Sequence, residues 1–206
     1  RIIPRVSYDE AVEMAYFGAK VIHPATMLPT IQKGIPILIK NTFDPEQKGT
    51  LISRTGAPGG TAKIVTSIDT IALINIGGVS LIGIPGSASR VFETTAKNGV
   101  NVILISQASS EHTICLAIQE SSLSVALAAF QEEFAKEIRL GRVRVSAIKN
   151  QAILAAVGDG MRGTPGTAGK LFGALGAGGI NISAIAQGGS ERNISCVIHA
   201  KEKNRA

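Results

Sequence analysis

The sequence predicts an α+β protein with two ferredoxin-like βαββαβ units in tandem, preceded by the end of a larger α/β domain. An internal repeat is the first observation. Shifting the chain by 80 residues places residues 71–118 on residues 151–198 without a gap, with 15 identities in 48 positions. That agreement is far above chance, so we interpret the two segments as copies of one supersecondary unit.

The order of predicted elements is the second observation, because it is the same in both copies. Each copy has an apolar strand, a Gly-rich loop ending in Pro-Gly, an amphipathic helix, and two strands joined by a polar loop. In the first copy we expect strands at 71–76, 100–106, 113–118 and 143–148, with helices at 88–97 and 122–138. This βαββαβ order is that of a ferredoxin-like sandwich.

The boundaries of the repeated helices are indicated by proline and glycine. Pro85 and Pro165 suit a first helical turn, where a missing N–H costs nothing. Gly99 and Gly179 follow the two helices, where a C-cap favours a left-handed residue. The second copy ends at Ala206 without its own closing helix and strand.

A missing edge strand predicts that another segment fills it. Residues 62–68 alternate like a strand, and we expect them to be lent to the second copy. The predicted domains are residues 1–53 as the end of the α/β domain, 54–60 as linker, 61–150 as the first unit, with strand 61–68 lent to the second, and 151–206 as the second unit.

The segment before the repeat has a different pattern, which is the third observation. Ser7 and Glu10 form a capping box before a helix that Gly18 ends. A second helix to Lys33, a buried strand at 35–40 and a short strand at 50–52 follow. These elements are too few for a core of their own, and the chain starts without Met or a signal peptide, so we expect a cut through a longer protein.

Composition excludes several classes of function. The net charge is +6, yet the 21 Lys and Arg are scattered and the eight aromatics include no Trp, which argues against nucleic-acid binding. No apolar run is long enough for a membrane span. Cys115 and Cys196 lie in apolar stretches and predict free buried thiols in a reducing compartment. His112 and His199 have no partner at metal-ligand spacing, so no metal site is expected.

The motifs resemble those of a known family. Ser7-Tyr8-Asp9-Glu10, Gly18 to Pro24 and Lys48 to Ile52 resemble the end of the aspartokinase catalytic domain, of the amino acid kinase fold. Gly83 to Phe92 and its repeat resemble the helix start of ACT domains, small modules that bind amino acids. Ile105 to His112, with its repeat from Ile185 to Glu191, is similar to the threonine-inhibited branch, which includes bifunctional aspartokinase/homoserine dehydrogenases.

The resemblance implies ATP-dependent phosphorylation of the L-aspartate side chain by the parent enzyme. ATP and Mg would be cofactors of that parent, in the cytoplasm or, in a plant, the plastid. The family's Lys-Phe-Gly-Gly-Thr-Ser motif and most nucleotide-binding segments are missing here. Phosphoryl transfer needs a phosphate cradle and a metal site. We therefore expect no catalytic residues, no cofactor and no kinase activity in this fragment; whether the parent also carries a dehydrogenase stays open.

The residues around the repeated helix starts predict a site for an amino-acid zwitterion. A glycine-containing turn before a helix lets a ligand approach the backbone closely. The N–H groups and the positive end of the helix dipole there favour a carboxylate. Asn101 and Asn181 carry amides at the start of the facing strand. Gln107 and Gln187 supply a donor and an acceptor, as a threonine hydroxyl requires. Plain helix caps, structural turn asparagines and exposed loop amides are the alternative interpretations.

By resemblance, Gln107 and Gln187 are the threonine-contacting glutamines, and Ile103 stands where lysine-sensing relatives have Asp. L-threonine is therefore the expected effector, with a homo-oligomer formed through the ACT units. A standalone amino-acid-binding ACT protein and a lysine-responsive aspartokinase are the alternatives. The candidate effector-binding residues are Ile84, Pro85, Gly86, Ser87, Ala88, Asn101, Ile103 and Gln107 in the first copy, and Pro165, Gly166, Thr167, Asn181 and Gln187 in the second.

Two further positions have several interpretations. His23 precedes Pro24 at a helix start, where capping or packing is favoured over catalysis. Asp159 and Arg162 lie in the Gly-rich loop of the second copy, where they pair with each other or reach a domain interface.

Overall fold

The protein consists of short helices and two β-sheets, seen here in a computed structural model that describes residues 2–19, 22–57, 60–78, 86–107 and 113–206. The strands are β1 (Arg5–Ser7), β2 (Ile37–Ile39), β3 (Thr50–Ser53), β4 (Ile64–Gly77), β5 (Val102–Ser106), β6 (Thr113–Gln119), β7 (Arg144–Val157), β8 (Ile182–Ala186) and β9 (Asn193–His199). The helices are α1 (Tyr8–Tyr16), α2 (Pro24–Lys33), α3 (Ser87–Lys97), α4 (Leu123–Glu133), α5 (Ala135–Arg139) and α6 (Thr167–Ala177).

The residues form two compact units, each with its own internal packing. Unit I contains residues 1–68, 154–180 and 187–195, and unit II contains residues 69–153, 181–186 and 196–206. One sheet has the strand order β1-β3-β2, and the other has the order β5-β6-β4-β7-β9-β8.

The three-stranded sheet organises the segment before the repeat. Strand β1 runs parallel to β3, and β2 runs antiparallel to β3. The sequence did not predict β1, because three residues are too short to show a period. The predicted buried strand at 35–40 is wrong in extent and burial: only residues 37–39 are strand, and Leu38 is 55% exposed. The core of this segment contains Val6, Tyr8, Ala11, Met27 and Ile52.

The capping predictions for the two N-terminal helices are confirmed. The Ser7 side chain accepts a hydrogen bond from the Glu10 N–H, and the Glu10 carboxylate accepts one from the Ser7 N–H. At α2, the His23 Nδ1 accepts a hydrogen bond from the Ala25 N–H at 3.2 Å. His23 is thus an N-cap, and Gly34 ends the helix in the left-handed region at φ 67°.

The repeat is preserved in the elements themselves. Helix α6 begins and ends 80 residues after α3, and the same offset relates β8 to β5 and β9 to β6. The tandem ferredoxin-like fold and the α+β class are therefore confirmed. The order β5-β6-β4-β7 is the one a βαββαβ unit produces, with β4 in a central position.

The two longest strands differ from the prediction. Residues 62–68 and 71–76 were expected as separate strands, as were 143–148 and 152–157, but β4 and β7 are continuous strands of 14 residues each. Thr70 and Asn150 lie within them at φ 60° and 57°. A left-handed residue disturbs the alternation of side chains, so the sequence pattern resembles two shorter strands.

Unit II has a core of aliphatic side chains capped by two phenylalanines. Strand β4 pairs antiparallel with β6, with Ala72 opposite Ile118 and Ile76 opposite Ile114. Phe130 and Phe134 from the α4–α5 region are fully buried against this sheet. The helix predicted at 122–138 is divided at Phe134, whose φ of −104° departs from helical values.

The expectation that residues 61–68 supply a strand to the second copy remains a proposal. Residues up to 68 belong to the same compact unit as residues 154–180. The Lys63 N–H donates a hydrogen bond to the Val157 carbonyl at 2.8 Å, beside the end of β7. Both observations support a fourth strand for the second copy. The predicted boundaries at 53, 60 and 150 stay predictions, because β4 and β7 each contribute residues to both units.

Neither Cys115 nor Cys196 forms a disulfide among the described residues, but the two differ in burial. Cys196 is fully buried, and burial raises the pKa of its thiol to about 11. Cys115 is half-buried, contrary to the prediction, and its Sγ donates to the Asn75 Oδ1 at 2.6 Å.

We expect the two thiols to react with Ellman's reagent at different rates. The thiolate is the nucleophile, so at pH 8 Cys196 should react at least about tenfold more slowly than Cys115. In denaturant the two rates should converge. Mass spectrometry of each labelled cysteine over time measures both rates, and equal labelling in the native protein would contradict the burial described here.

Arg90 should contribute measurably to the stability of unit II. Its guanidinium bonds the Glu133 and Glu137 carboxylates at 2.7 and 2.8 Å and lies 4.4 Å from the Phe134 ring centroid. We expect Arg90→Met to lower the free energy of unfolding by about 1 to 2 kcal/mol. Urea unfolding followed by circular dichroism measures the change. The matched control Lys97→Met removes a single exposed pair with Glu93 and should cost less than about 0.5 kcal/mol.

Candidate functional site

A surface cleft lies at the start of helix α6, within unit I. Its volume is about 340 Å³, which is in the lower part of the range of about 300 to 1,000 Å³ that small-molecule sites occupy. Four of the five predicted residues of the second copy line it: Pro165, Gly166, Thr167 and Gln187. Asn181 is exposed and does not belong to the cleft lining.

Gly166 determines how the chain enters the helix beside the cleft. It is the N-cap of α6 at φ 80°, so the helix starts after it and not at Pro165 as predicted. An added Cβ would meet no described atom within 4 Å. Glycine is therefore favoured here by the left-handed backbone and not by lack of space. The first N–H groups of an α-helix have no partner within the helix and carry partial positive charge, and those of α6 border the cleft.

Side chains hold the loop that precedes α6. The Glu191 carboxylate accepts a hydrogen bond from the Gly163 N–H at 2.6 Å, and Glu191 itself has φ 55°. The Thr167 hydroxyl donates to the Thr164 carbonyl at 2.9 Å. These hydrogen bonds hold the loop between β7 and α6, and residues of this loop line the cleft.

Glu191 also lines the cleft, although sequence reasoning did not select it. A signal was available, because Glu111 and Glu191 are one of the repeated identities. The cleft therefore combines N–H donors of a helix start, the amide of Gln187, a carboxylate, and apolar contacts from Met161 and Ile194. This set can satisfy a carboxylate, an ammonium group and a short apolar side chain at once.

The first copy places its candidates at matching positions in unit II. Gly86 is the N-cap of α3 at φ 89°, and Ser87 and Ala88 open that helix. Asn101 is exposed immediately before β5, and Gln107 is exposed immediately after it.

The remaining candidates of the first copy lie within β5 or outside the described residues. Ile103 lies within β5 and is half-buried. Ile84 and Pro85 lie outside the described residues, as does His112. The first-copy set therefore stays a prediction supported by its correspondence to the second copy.

The Gly-rich loop of the second copy contains an ion pair that the sequence did not predict. Asp159 bonds Arg192 at 2.8 Å, and Arg192 also bonds Asp9 at 2.9 Å. In the part of the chain that the structure describes, no ion pair joins Asp159 to Arg162, which was one of the two interpretations of this loop. Burial tends to raise the pKa of Asp159, but hydrogen bonds with Ser7 and Arg192 and the nearby positive charges lower that pKa below its usual value. Asp159 is thus a stable anion at neutral pH.

Metal and membrane sites were not expected. Within the described ranges, no group of three or more His, Cys, Asp or Glu side chains could hold a metal ion. His199 caps the turn at 200–202 by accepting from the Lys201 N–H. None of the described helices is both long enough and apolar enough to cross a membrane.

Comparison with known proteins agrees with this architecture. The ACT domain family matches residues 74–134 and 154–206, together more than half of the chain, and the amino acid kinase family matches residues 1–41. The bifunctional aspartokinase/homoserine dehydrogenase 2 of Zea mays, named as chloroplastic, is 42% identical over 211 residues, which cover the whole chain. The chain spans only 23% of that relative's length.

Two solved structures are similar over most of the chain. The aspartate kinase of Clostridium acetobutylicum superposes with a TM-score of 0.89 at 28% identity, covering 100% of this chain and 47% of that one. The regulatory subunit of aspartate kinase from Thermus thermophilus has a TM-score of 0.60 at 25% identity, covering 71% of this chain and 93% of the subunit. The chain belongs to the ACT domain family, with the tandem pair and preceding amino acid kinase segment that are found in aspartokinases.

Proposed function

We propose that this chain is the allosteric regulatory region of an aspartate kinase and that L-threonine is its effector. The parent enzyme would convert ATP and L-aspartate to 4-phospho-L-aspartate, and threonine would inhibit it by feedback. The observation that carries the proposal is the cleft at the start of α6, where four predicted residues meet. The aspartokinase relatives support the identity of the parent.

The cleft has a group for each part of threonine. The α-carboxylate would occupy the N-terminus of α6, where a helix favours an anion. The Glu191 carboxylate can accept from the α-ammonium, and the Gln187 amide can both donate to and accept from the hydroxyl. Met161 and Ile194 offer apolar surface to the methyl group.

Unit I supports the proposal that the parent protein is a kinase. Residues 1–41 match the amino acid kinase family, and large apolar side chains there are exposed, among them Leu28 at 57% and Leu38 at 55%. The rest of a kinase domain would supply ATP, Mg and aspartate sites, so we expect no phosphoryl transfer from this chain.

Assembly and compartment are part of the same proposal. Strands β5 and β8 stand at the two ends of the strand order, but they contact each other, because the Ser106 hydroxyl donates to the Ile185 carbonyl at 2.8 Å. The side chains of Ile105 and Ile185 are nevertheless 48% and 44% exposed. Exposed apolar side chains at these positions favour contact with another copy, which supports a homo-oligomer. The plant relatives are chloroplastic by name, which supports a plastid location if the source is a plant and leaves the cytoplasm for a bacterial source.

Threonine binding should depend on the two matched glutamines. Isothermal titration calorimetry of the whole chain with L-threonine should show saturable heat. Gln187→Ala should weaken the second-copy site by about threefold to tenfold, because Gln187 is an exposed side chain and a typical hydrogen bond is worth about 0.5 to 1.5 kcal/mol. Gln107→Ala is the matched variant and should affect only a site in the first copy.

Other amino acids serve as controls for this titration. L-valine has the size of threonine without its hydroxyl and should bind at least about tenfold more weakly. Saturable heat from lysine with none from threonine would contradict the threonine assignment, and no response to any amino acid would contradict the sensor role.

The preference for threonine over lysine should change with one residue of β5. Ile103→Asp places a carboxylate where the resemblance predicts that lysine-sensing relatives have one. We expect the affinity for lysine to rise by about tenfold, because a charge-assisted hydrogen bond is worth about 1.5 to 3 kcal/mol before desolvation. Calorimetry with lysine measures the gain. The control Ile105→Asp adds the same charge two residues further along β5, and an equal gain there would contradict the assignment of Ile103.

A further inference from the structure

Glu10 is a fully buried carboxylate whose two oxygens face different parts of unit I. Its Oε2 accepts hydrogen bonds from the Ser7 N–H at 2.8 Å and from the Lys63 Nζ at 2.7 Å. Its Oε1 accepts from the Asp159 N–H at 2.7 Å. Lys63 is itself only 8% exposed. One side chain thus joins the start of helix α1 to the Gly-rich loop that follows β7.

The capping box alone does not require this arrangement. A cap needs one carboxylate oxygen on the Ser7 N–H, and it works equally well at a surface. Burying a charged group is costly unless it is paired and its remaining hydrogen-bonding capacity is used. Lys63 and the Asp159 N–H provide that compensation. The Gly-rich loop therefore helps to stabilise the buried, charged form of Glu10.

Glycines allow the loop to come this close. A Cβ on Gly158 would lie 2.9 Å from the Lys63 nitrogen, and one on Gly160 would collide with the Gly60 carbonyl. A Cβ on Gly56 would lie 2.6 Å from the Glu10 Oε2. The surroundings of Glu10 are therefore tightly packed. A shift of the loop would change the hydrogen bond between the Asp159 N–H and the Glu10 carboxylate.

The same loop forms one wall of the candidate effector cleft. Residues Asp159–Met161 make a single 3₁₀ turn, and Met161 lines the cleft. On the other side, Arg192 bonds both Asp9 of α1 and Asp159, and it directly follows Glu191 of the cleft. Two short routes therefore connect the cleft to the first turn of α1.

We propose that Glu10 is a positioning residue that couples the occupancy of the second-copy cleft to the N-terminus of helix α1. This rests on the proposed function and adds which site is coupled to the kinase segment and through which side chain. A ligand touching Met161 and Glu191 would favour one arrangement of the Asp159 turn. Coupling is reciprocal, so the hydrogen bond between Glu10 and the Asp159 turn must also affect the affinity for the ligand.

Hydrogen exchange of the unmodified chain tests the coupling without a risk of misfolding. With saturating L-threonine, we expect exchange to change in peptides covering residues 158–164 and, together with them, residues 7–13. At a threonine concentration near the Kd of the unmodified chain, the response at 7–13 should fall by about half or more in Gln187→Ala and persist in Gln107→Ala. A change at 158–164 with none at 7–13, or a response that depends on Gln107 instead of Gln187, would overturn the proposal.

Calorimetry of Glu10→Gln tests the reciprocal effect. Glutamine keeps the shape but has a single acceptor oxygen, so it cannot serve Lys63, Ser7 and Asp159 together. We expect threonine binding at the Gln187-dependent site to weaken by about fivefold or more. Glu132→Gln, which removes an exposed carboxylate on α4, should leave the affinity unchanged.

The two proposals fail in different ways. A flat titration of the unmodified chain would remove the threonine site and the coupling with it. Normal threonine binding with the same affinity in Glu10→Gln and Glu132→Gln, and no exchange response at residues 7–13, would leave the site in place and overturn the coupling alone.

Discussion

A left-handed glycine at the start of each repeated helix is the constraint on which the rest of the structure depends. Gly86 and Gly166 have φ 89° and 80°, values that other residues adopt only at a cost of about 1 to 2 kcal/mol. They turn the chain into α3 and α6, and the first N–H groups of an α-helix have no partner within the helix itself. In the second copy the first residues of the helix line a cleft, so the same backbone angle that begins the helix also shapes the place where we propose that a carboxylate binds.

The buried Glu10 carboxylate connects the loop before α6 to helix α1, and a surface cleft alone would not make this connection. Its loop is held from outside by Glu191 and from inside by Glu10. An anion at the surface can be solvated in many arrangements, whereas a buried carboxylate keeps its few donors in fixed positions. The loop between β7 and α6 therefore lies between a candidate ligand site and helix α1 and contacts both.

Much of the fold and part of the site could be predicted from the sequence, because the relevant signals are local or repeated. The 80-residue offset gave the order of elements, and the capping box gave the start of α1. Pro165, Gly166, Thr167 and Gln187 were predicted from motif position and lie together. Long-range contacts were not predictable in this way: Glu10 meets Lys63 and Asp159 across 53 and 149 positions, and no pattern within a single element indicates such a pair. The continuity of β4 and β7 was missed because Thr70 and Asn150 disturb the alternation.

A crystal structure of this chain grown with L-threonine would test the central claim most directly. We expect one threonine in the second-copy cleft, with its carboxylate at the first N–H groups of α6 and its hydroxyl within hydrogen-bond distance of the Gln187 amide. Threonine bound elsewhere, or an empty cleft at a saturating threonine concentration, would contradict the assignment of this helix start as an amino-acid sensor.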